Sequence, residues 1–167
     1  MLKICIDTTV FKNFDTEKEL LKEFLKEINS ENYAYEGEKN YIDDEFSEII
    51  KKFVSEVDID LDIFLEIKSK YPNLHDGEVC LIAYSIQYNC CFISDDKKAR
   101  KKAENERIHP CCIQNYFIGG SIGIILACRD LLNLITNEKA EDIYISMKSK
   151  NRLPNKNLSE FSLKNCN

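Results

Sequence analysis

Cys90-Cys91-Phe92-Ile93-Ser94-Asp95-Asp96 is a short apolar, β-prone run that ends abruptly in two adjacent carboxylates, and the basic run Lys97-Lys98-Ala99-Arg100-Lys101-Lys102 follows at once. An apolar strand that delivers acids to the start of a helix is the pattern of an open α/β sheet, whose sites lie beyond the carboxyl ends of its strands. A second stretch has the same form: Leu2-Lys3-Ile4-Cys5-Ile6 ends in Asp7-Thr8-Thr9. Two strands that both end in Asp give the first indication of a shared metal site.

Outward from these strands, helical and extended patterns alternate. A stripe of Leu20, Leu21, Phe24, Leu25 and Ile28 follows an N-cap at Asp15-Thr16 and stops at Asn29-Ser30. Residues 30–41 are polar, show no clear period and read as a loop with room for a short strand. Asp43-Asp44 opens a second helix, with Phe46, Ile49, Ile50, Phe53 and Val54 at helical spacing. Val57, Ile59 and Leu61 alternate with acids as in a short strand, and a helix through Phe64 and Ile67 ends before Pro72.

His75-Asp76-Gly77-Glu78 opens a stronger helix, with Asp76 as its N-cap and Val79, Ile82, Ala83 and Ile86 facing inward. Beyond the strand at 90–94 come a basic helix over 97–105 and a strand around Cys111-Cys112-Ile113. An apolar helix then enters through Ile118-Gly119-Gly120-Ser121-Ile122-Gly123 and runs to Leu132, and a last helix places Ala140, Ile143, Tyr144 and Met147 on one face. Strands alternating with helices predict an α/β fold, a three-layer sandwich with a mainly parallel central sheet. One domain spans residues 1–153, and residues 154–167 thin out into a polar tail.

Composition narrows the function classes. The net charge of -6 argues against a generally basic nucleic-acid coat, yet residues 1–70 carry 18 acids and 10 bases while residues 71–167 carry 11 acids and 13 bases. A polyanion would therefore meet the second half. The start, Met1-Leu2-Lys3-Ile4-Cys5-Ile6-Asp7, has an apolar run too short for export, and nothing approaches the length of a membrane span. A cytoplasmic protein with reduced thiols is expected, so the eight cysteines, including the pairs Cys90-Cys91 and Cys111-Cys112, read as small buried hydrophobes. Four convergent ligands at zinc spacing are not present.

The acids at strand ends and helix starts are Asp7, Glu78, Asp95 and Asp96. Hard divalent cations such as Mg2+ take oxygen ligands, typically a few carboxylates with several waters retained. Two such ions about 4 Å apart could activate a water and stabilise the leaving oxygen of a phosphodiester. Carboxylates distant in sequence and gathered at one sheet edge are what that chemistry requires. Glu78 lies in the first turn of its helix, where the dipole favours negative charge.

In order along the chain, these elements resemble a PIN domain: Asp at the end of the first strand, an acid opening a mid-chain helix, then apolar-apolar-Ser-x-Asp. The similarity is to the VapC-like branch, in which Gly-Glu opens the helix and Asp-Asp-x-x-Ala-Arg follows the strand. Here those elements are Gly77-Glu78 with Ala83, and Asp95-Asp96-Lys97-Lys98-Ala99-Arg100 with Ala103. The resemblance continues through Gly120-Ser121-Ile122-Gly123-Ile124-Ile125-Leu126, Leu134-Ile135 and Arg152-Leu153, covering residues 2–8 and 75–160.

It implies a Rossmann-like sandwich and a Mg2+- or Mn2+-dependent endoribonuclease leaving a 5′-phosphate and a 3′-hydroxyl. PIN domains are often toxins of toxin–antitoxin pairs, so the implied partners are RNA, an antitoxin and a second copy of the chain. By position, Asp7, Glu78 and Asp96 become metal ligands, Asp95 a fourth ligand or a group behind them, and Thr8 and Ser94 the residues that orient the site. The family also uses an acid on the second long helix: Glu48, in Phe46-Ser47-Glu48-Ile49, fits best, with Glu45 and Asp44 competing.

Plainer readings stand beside these. Lys97, Lys98, Arg100 and Lys101 could track an RNA backbone, or form a solvated helix face. The segment Gly119–Gly123 lacks the Lys-Ser/Thr ending of a phosphate-binding loop. His75 and His109 receive no role. A catalytically inactive PIN-like scaffold that binds RNA is the second hypothesis, since the resemblance lapses around residues 30–60. A phospho-receiver domain is the third, but it needs an acidic pair after the first strand, and Asp7-Thr8 has none.

Overall fold

The apolar run behind Asp7 forms the inner strand of a parallel sheet. The computed structural model describes residues 1–150 and 153–166, so Arg152 of the resemblance lies outside the described residues. Strand β1 (Leu2–Ile6) leads into helices α1 (Thr8–Asn13) and α2 (Lys18–Glu27), and then to β2 (Ser30–Tyr35), a 3-10 turn (Glu36–Tyr41) and α3 (Asp44–Ser47). Next come β3 (Ile50–Val54), a 3-10 turn (Glu56–Asp58), α4 (Leu61–Lys70), α5 (Asp76–Tyr88), β4 (Cys91–Ile93) and α6 (Lys97–Asn105). Strands β5 (Cys112–Ile113) and β6 (Tyr116–Phe117), helices α7 (Ser121–Asp130) and α8 (Asn137–Ser149), a turn (Leu158–Glu160) and β7 (Lys164–Asn165) complete the order.

The four-stranded sheet runs β3-β2-β1-β4 with every pair parallel. Side chains alternate across it, so Ile4, Ile6, Cys91 and Ile93 pack on α1, α2, α7 and α8, while Cys5, Tyr33, Val54 and Phe92 pack on α4, α5 and α6. Helices on both faces make the three-layer α/β sandwich. The chain winds outward from β1 through β2 to β3 and then returns to add β4 on the other side of β1. That reversal opens a crevice beyond the carboxyl ends of β1 and β4, where open α/β sheets place their sites. Asp7 and Asp95-Asp96 follow those two strands. Among the described residues no helix is long and apolar enough to cross a membrane.

Several local expectations are corrected. Ile49, Ile50, Phe53 and Val54 do not continue a helix; α3 stops at Ser47 and Ile50–Val54 becomes the edge strand β3. The β-branched and aromatic residues suit a strand, and exposed Lys51 and Lys52 guard its open edge. Residues 30–35 fill the room left for a strand with the six-residue β2. Val57 lies in a 3-10 turn that leads into α4 instead of a strand, and Ile86, expected to face inward, is 37 % exposed near the end of α5. The polar tail folds back: Leu158 is fully buried, and β7 pairs antiparallel with β6. Cys112 is not a free thiol but is joined to Cys166, with Cα atoms 6.1 Å apart, while Cys5, Cys80, Cys90, Cys91, Cys111 and Cys128 are free and buried as expected.

Candidate metal centre

At the end of β1, Asp7 is 5 % exposed, and its main-chain N–H donates to the carbonyl of Ile93 at 2.9 Å, tying the two strand ends together. Its Oδ2 accepts from Thr9 Oγ1 at 2.6 Å and from Ser94 Oγ at 2.7 Å. The fully buried Ser94 hydroxyl in turn accepts from the main-chain N–H of Asp96 at 3.0 Å. One serine oxygen thus bridges the first acid to the backbone of the last. The orienting hydroxyl expected at Thr8 belongs instead to Thr9; Thr8 Oγ1 is buried with no hydrogen-bond partner among the described residues.

Burial pushes the Asp7 carboxyl above the usual aspartate range against the pull of its two hydroxyl donors, with Glu38 and Asp95 adding to the rise. Glu78, in the first turn of α5, accepts from the His75 N–H at 3.0 Å. It is raised as well, first by burial and then by repulsion from Asp7 and Asp96. Asp7, Glu78 and Asp96 therefore share one electrostatic field, as clustered carboxylates do until a cation arrives. His75, not Asp76, is the N-cap of α5, and Asp76 turns outward to Lys68.

The neighbours Asp95 and Asp96 do different work. Asp95 Oδ1 accepts from the Ser121 N–H at 2.8 Å, and its Oδ2 accepts from Ser121 Oγ at 2.5 Å and Asn13 Nδ2 at 2.6 Å. It fastens α1 and the start of α7 to the end of β4. A Cβ on Gly120 would lie 2.6 Å from Asp95 Oδ1 and 2.8 Å from the Ser94 carbonyl, so the close approach needs glycine. Asp96 is exposed and caps α6 with Oδ1, which accepts from the N–H groups of Lys98 at 2.6 Å and Ala99 at 3.2 Å. Its other oxygen makes no hydrogen bond among the described residues.

Other expected residues fall further out. Glu48 sits at the C-terminal end of α3, is 75 % exposed at its side chain and faces Lys22 at 3.9 Å, so it does not join the three acids. Asp44 and Glu45 are exposed too, and Glu45 pairs with Lys18 at 3.2 Å. Besides Asp95, an acid whose charge reaches Asp7 is Glu38, on the 3-10 turn after β2. Nothing in the polar, aperiodic stretch 30–41 singles it out. Lys97, Lys98 and Lys101 are exposed on α6, whereas Arg100 turns back and donates from Nη1 to the Ser94 carbonyl at 2.5 Å.

A cavity of about 320 Å3 opens over Thr9, Lys12, Asn13, Asp95 and Asp96. Among the described residues no three His, Cys, Asp or Glu side chains converge into a ready-made metal cage. Mg2+ does not demand one, since it is usually held by one or two carboxylates, retained waters and substrate phosphates. The donor set suits that mode: all-oxygen acids, two of them raised in pKa, with the buried Thr8 Oγ1 and Asn13 Oδ1 nearby and lacking partners among the described residues. No protein-family model matches the chain, and comparison with curated proteins gives no match.

Proposed function

We propose that the chain is a PIN-type, metal-dependent ribonuclease that hydrolyses RNA phosphodiesters with Mg2+ or Mn2+ as cofactor. The observation that carries this reading is the Ser94 hydroxyl, which holds Asp7 and Asp96 together at the reversal point of the sheet, within the field of Glu78. In this reading Asp7, Glu78 and Asp96 hold the cation, and Glu38 takes the place of the additional acid. Asp95 sets the positions of α1 and α7 behind them. A divalent cation held by these carboxylates would supply Lewis acidity to the attacking water and to the phosphodiester. The chain's own residues do the rest: Ser94 and Thr9 aim the Asp7 carboxylate, and Lys97, Lys98 and Lys101 draw the RNA backbone toward the crevice.

The test is RNA cleavage in Mn2+ by the wild type and by Asp96→Asn. Asparagine keeps the helix cap and removes the charge, so folding should persist while cleavage falls by roughly 100-fold or more. Full metal-dependent cleavage by Asp96→Asn would refute the assignment. A toxin role adds growth arrest on expression, relieved by the same substitution, and an antitoxin that co-purifies.

The outward position of Glu48, which faces Lys22 instead of the other acids, favours a second reading, a PIN-like RNA-binding scaffold without turnover. It predicts no cleavage and no thermal shift with Mn2+. The nuclease reading predicts that saturating Mn2+ stabilises the fold, by about 2.7 kcal/mol at 100 times Kd.

A further inference from the structure

Beside the carboxylate crevice lies a larger cavity of about 510 Å3, within the ~300–1,000 Å3 typical of ligand sites. Its floor is α7 with Gly119-Gly120, one side is α6, and the outer wall is the C-terminal segment around Phe161 to Lys164. Asp95 lines both this cavity and the one over Asp96, so the two are continuous at that residue. Lys97, Arg100, Lys156 and Lys164 line it against the single acid Asp95, and none of the four forms an ion pair with a carboxylate among the described residues. Phe117 and Phe161, both half-buried, contribute aromatic surface. The outer wall is held by the β6–β7 pairing and by the Cys112–Cys166 disulfide.

Resting on the ribonuclease reading above, we propose that this cavity seats a nucleotide of single-stranded RNA adjacent to the cleaved bond, with its base against Phe117 and Phe161 and its phosphates on Lys97, Arg100, Lys156 and Lys164. Single-stranded RNA is recognised by this combination, since bases stack on aromatic side chains and Arg or Lys meets the backbone. An acidic protein segment would use the cations but not the aromatic surface. The continuity through Asp95 sets the register: a phosphate at Asp96 leaves the next nucleotide over Gly119-Gly120. Of the four residues expected from sequence to bind RNA, Lys97 and Arg100 line this cavity, while Lys98 and Lys101 do not.

The experiment is fluorescence anisotropy of a labelled single-stranded RNA hexamer in EDTA, which prevents turnover, with unlabelled polyglutamate as competitor. The double variant Lys156→Ala/Lys164→Ala, both residues lying outside the helices and the parallel sheet, should bind about tenfold or more weakly and lower the salt slope by about 1.4. Phe117→Leu, matched for apolar character, should weaken binding at least about fivefold. Thermal melts establish that each variant folds, and the double variant decides the matter if Phe117→Leu does not. Unchanged hexamer affinity in the double variant, or displacement by polyglutamate as effective as by RNA, would overturn the subsite. Cavity-dependent binding without cleavage by the wild type would sink the nuclease reading and leave the subsite standing. Cleavage with unchanged KM in the double variant would do the reverse.

Discussion

On the outer face built by α2, α3 and β3, acids are answered by lysines: Lys18 reaches Asp43 at 2.8 Å and Glu45 at 3.2 Å, Lys51 reaches Glu31, and Lys52 reaches Asp58. Those lysines hold Asp43, Glu31 and Asp58 below the usual carboxylate range. At the carboxyl edge of the same sheet, Asp7 and Glu78 are pushed the other way, each by burial first and then by neighbouring carboxylates: Glu38 and Asp95 beside Asp7, Asp7 and Asp96 beside Glu78. The first arrangement is ordinary surface pairing, worth little to stability. The second is held against its own electrostatics, and such perturbed groups in a crevice make it a candidate functional site. The difference teaches that a carboxylate's position, not its abundance in an acidic chain, indicates its use.

The contrast can be broken most sharply at Glu78. Glu78→Gln removes one charge of the cluster and retains the acceptor for the His75 N–H, so metal-dependent cleavage should fall by roughly 100-fold while the fold persists. Initial rates across an Mn2+ titration check this, and wild-type activity would dissolve the distinction between the two faces.

Asp95→Ala should instead act on the fold. It strips the acceptors from the Ser121 N–H, Ser121 Oγ and Asn13 Nδ2, at a cost on the order of 2 kcal/mol in denaturant melts.

Asp7→Asn separates the two kinds of acid by pH. The folded-state pKa of Asp7 lies above its unfolded value, so between those values the folded chain holds more protons than the unfolded one. Wild-type stability is therefore greatest below the unfolded pKa and declines as pH rises through the folded one. Without metal, Asp7→Asn should be more stable than wild type at pH 7 by on the order of 1 kcal/mol, and the gain should vanish below about pH 4. Urea melts at both pH values are the measurement; a destabilised variant at pH 7 would show that Asp7 is not held at a cost.

The smallest effect belongs to the paired face. Lys51→Ala should move the melting temperature by no more than about 2 °C and leave cleavage unchanged.

Much of the fold was legible because its elements carry strong local patterns. The apolar runs of β1 and β4 have no helical reading at that length, and the stripes of α5 and α8 bury the residues their periodicity selects, save Ile86 near the end of α5, which is exposed. The run from Ile49 to Val54 misled because its spacing satisfies a helix and its residue types a strand; pairing with β2 decided between them. Of the residues proposed for the site, Asp7, Glu78, Ser94 and Asp96 were visible as acids and a hydroxyl at element ends. Glu38 was not, since a polar turn has no period to betray it, and Glu48 stood where helical spacing suggested a longer helix than forms. Thr9 rather than Thr8 reaches Asp7 because α1 begins immediately and turns the second threonine back over the strand end.

That acids terminate two buried strands and open one helix follows from the residues alone, because hydrophobic periodicity and end signals are local. How Asp95 and Asp96 are each held follows from packing. Asp95 is drawn inward by Ser121 and Asn13, groups supplied from α7 and α1, while Asp96 is left at the helix cap with an oxygen to spare. The same holds for Cys112, whose partner Cys166 arrives 54 residues later on a segment with no strong pattern of its own. Such contacts depend on where the chain returns, and that is set by packing rather than by neighbouring residues.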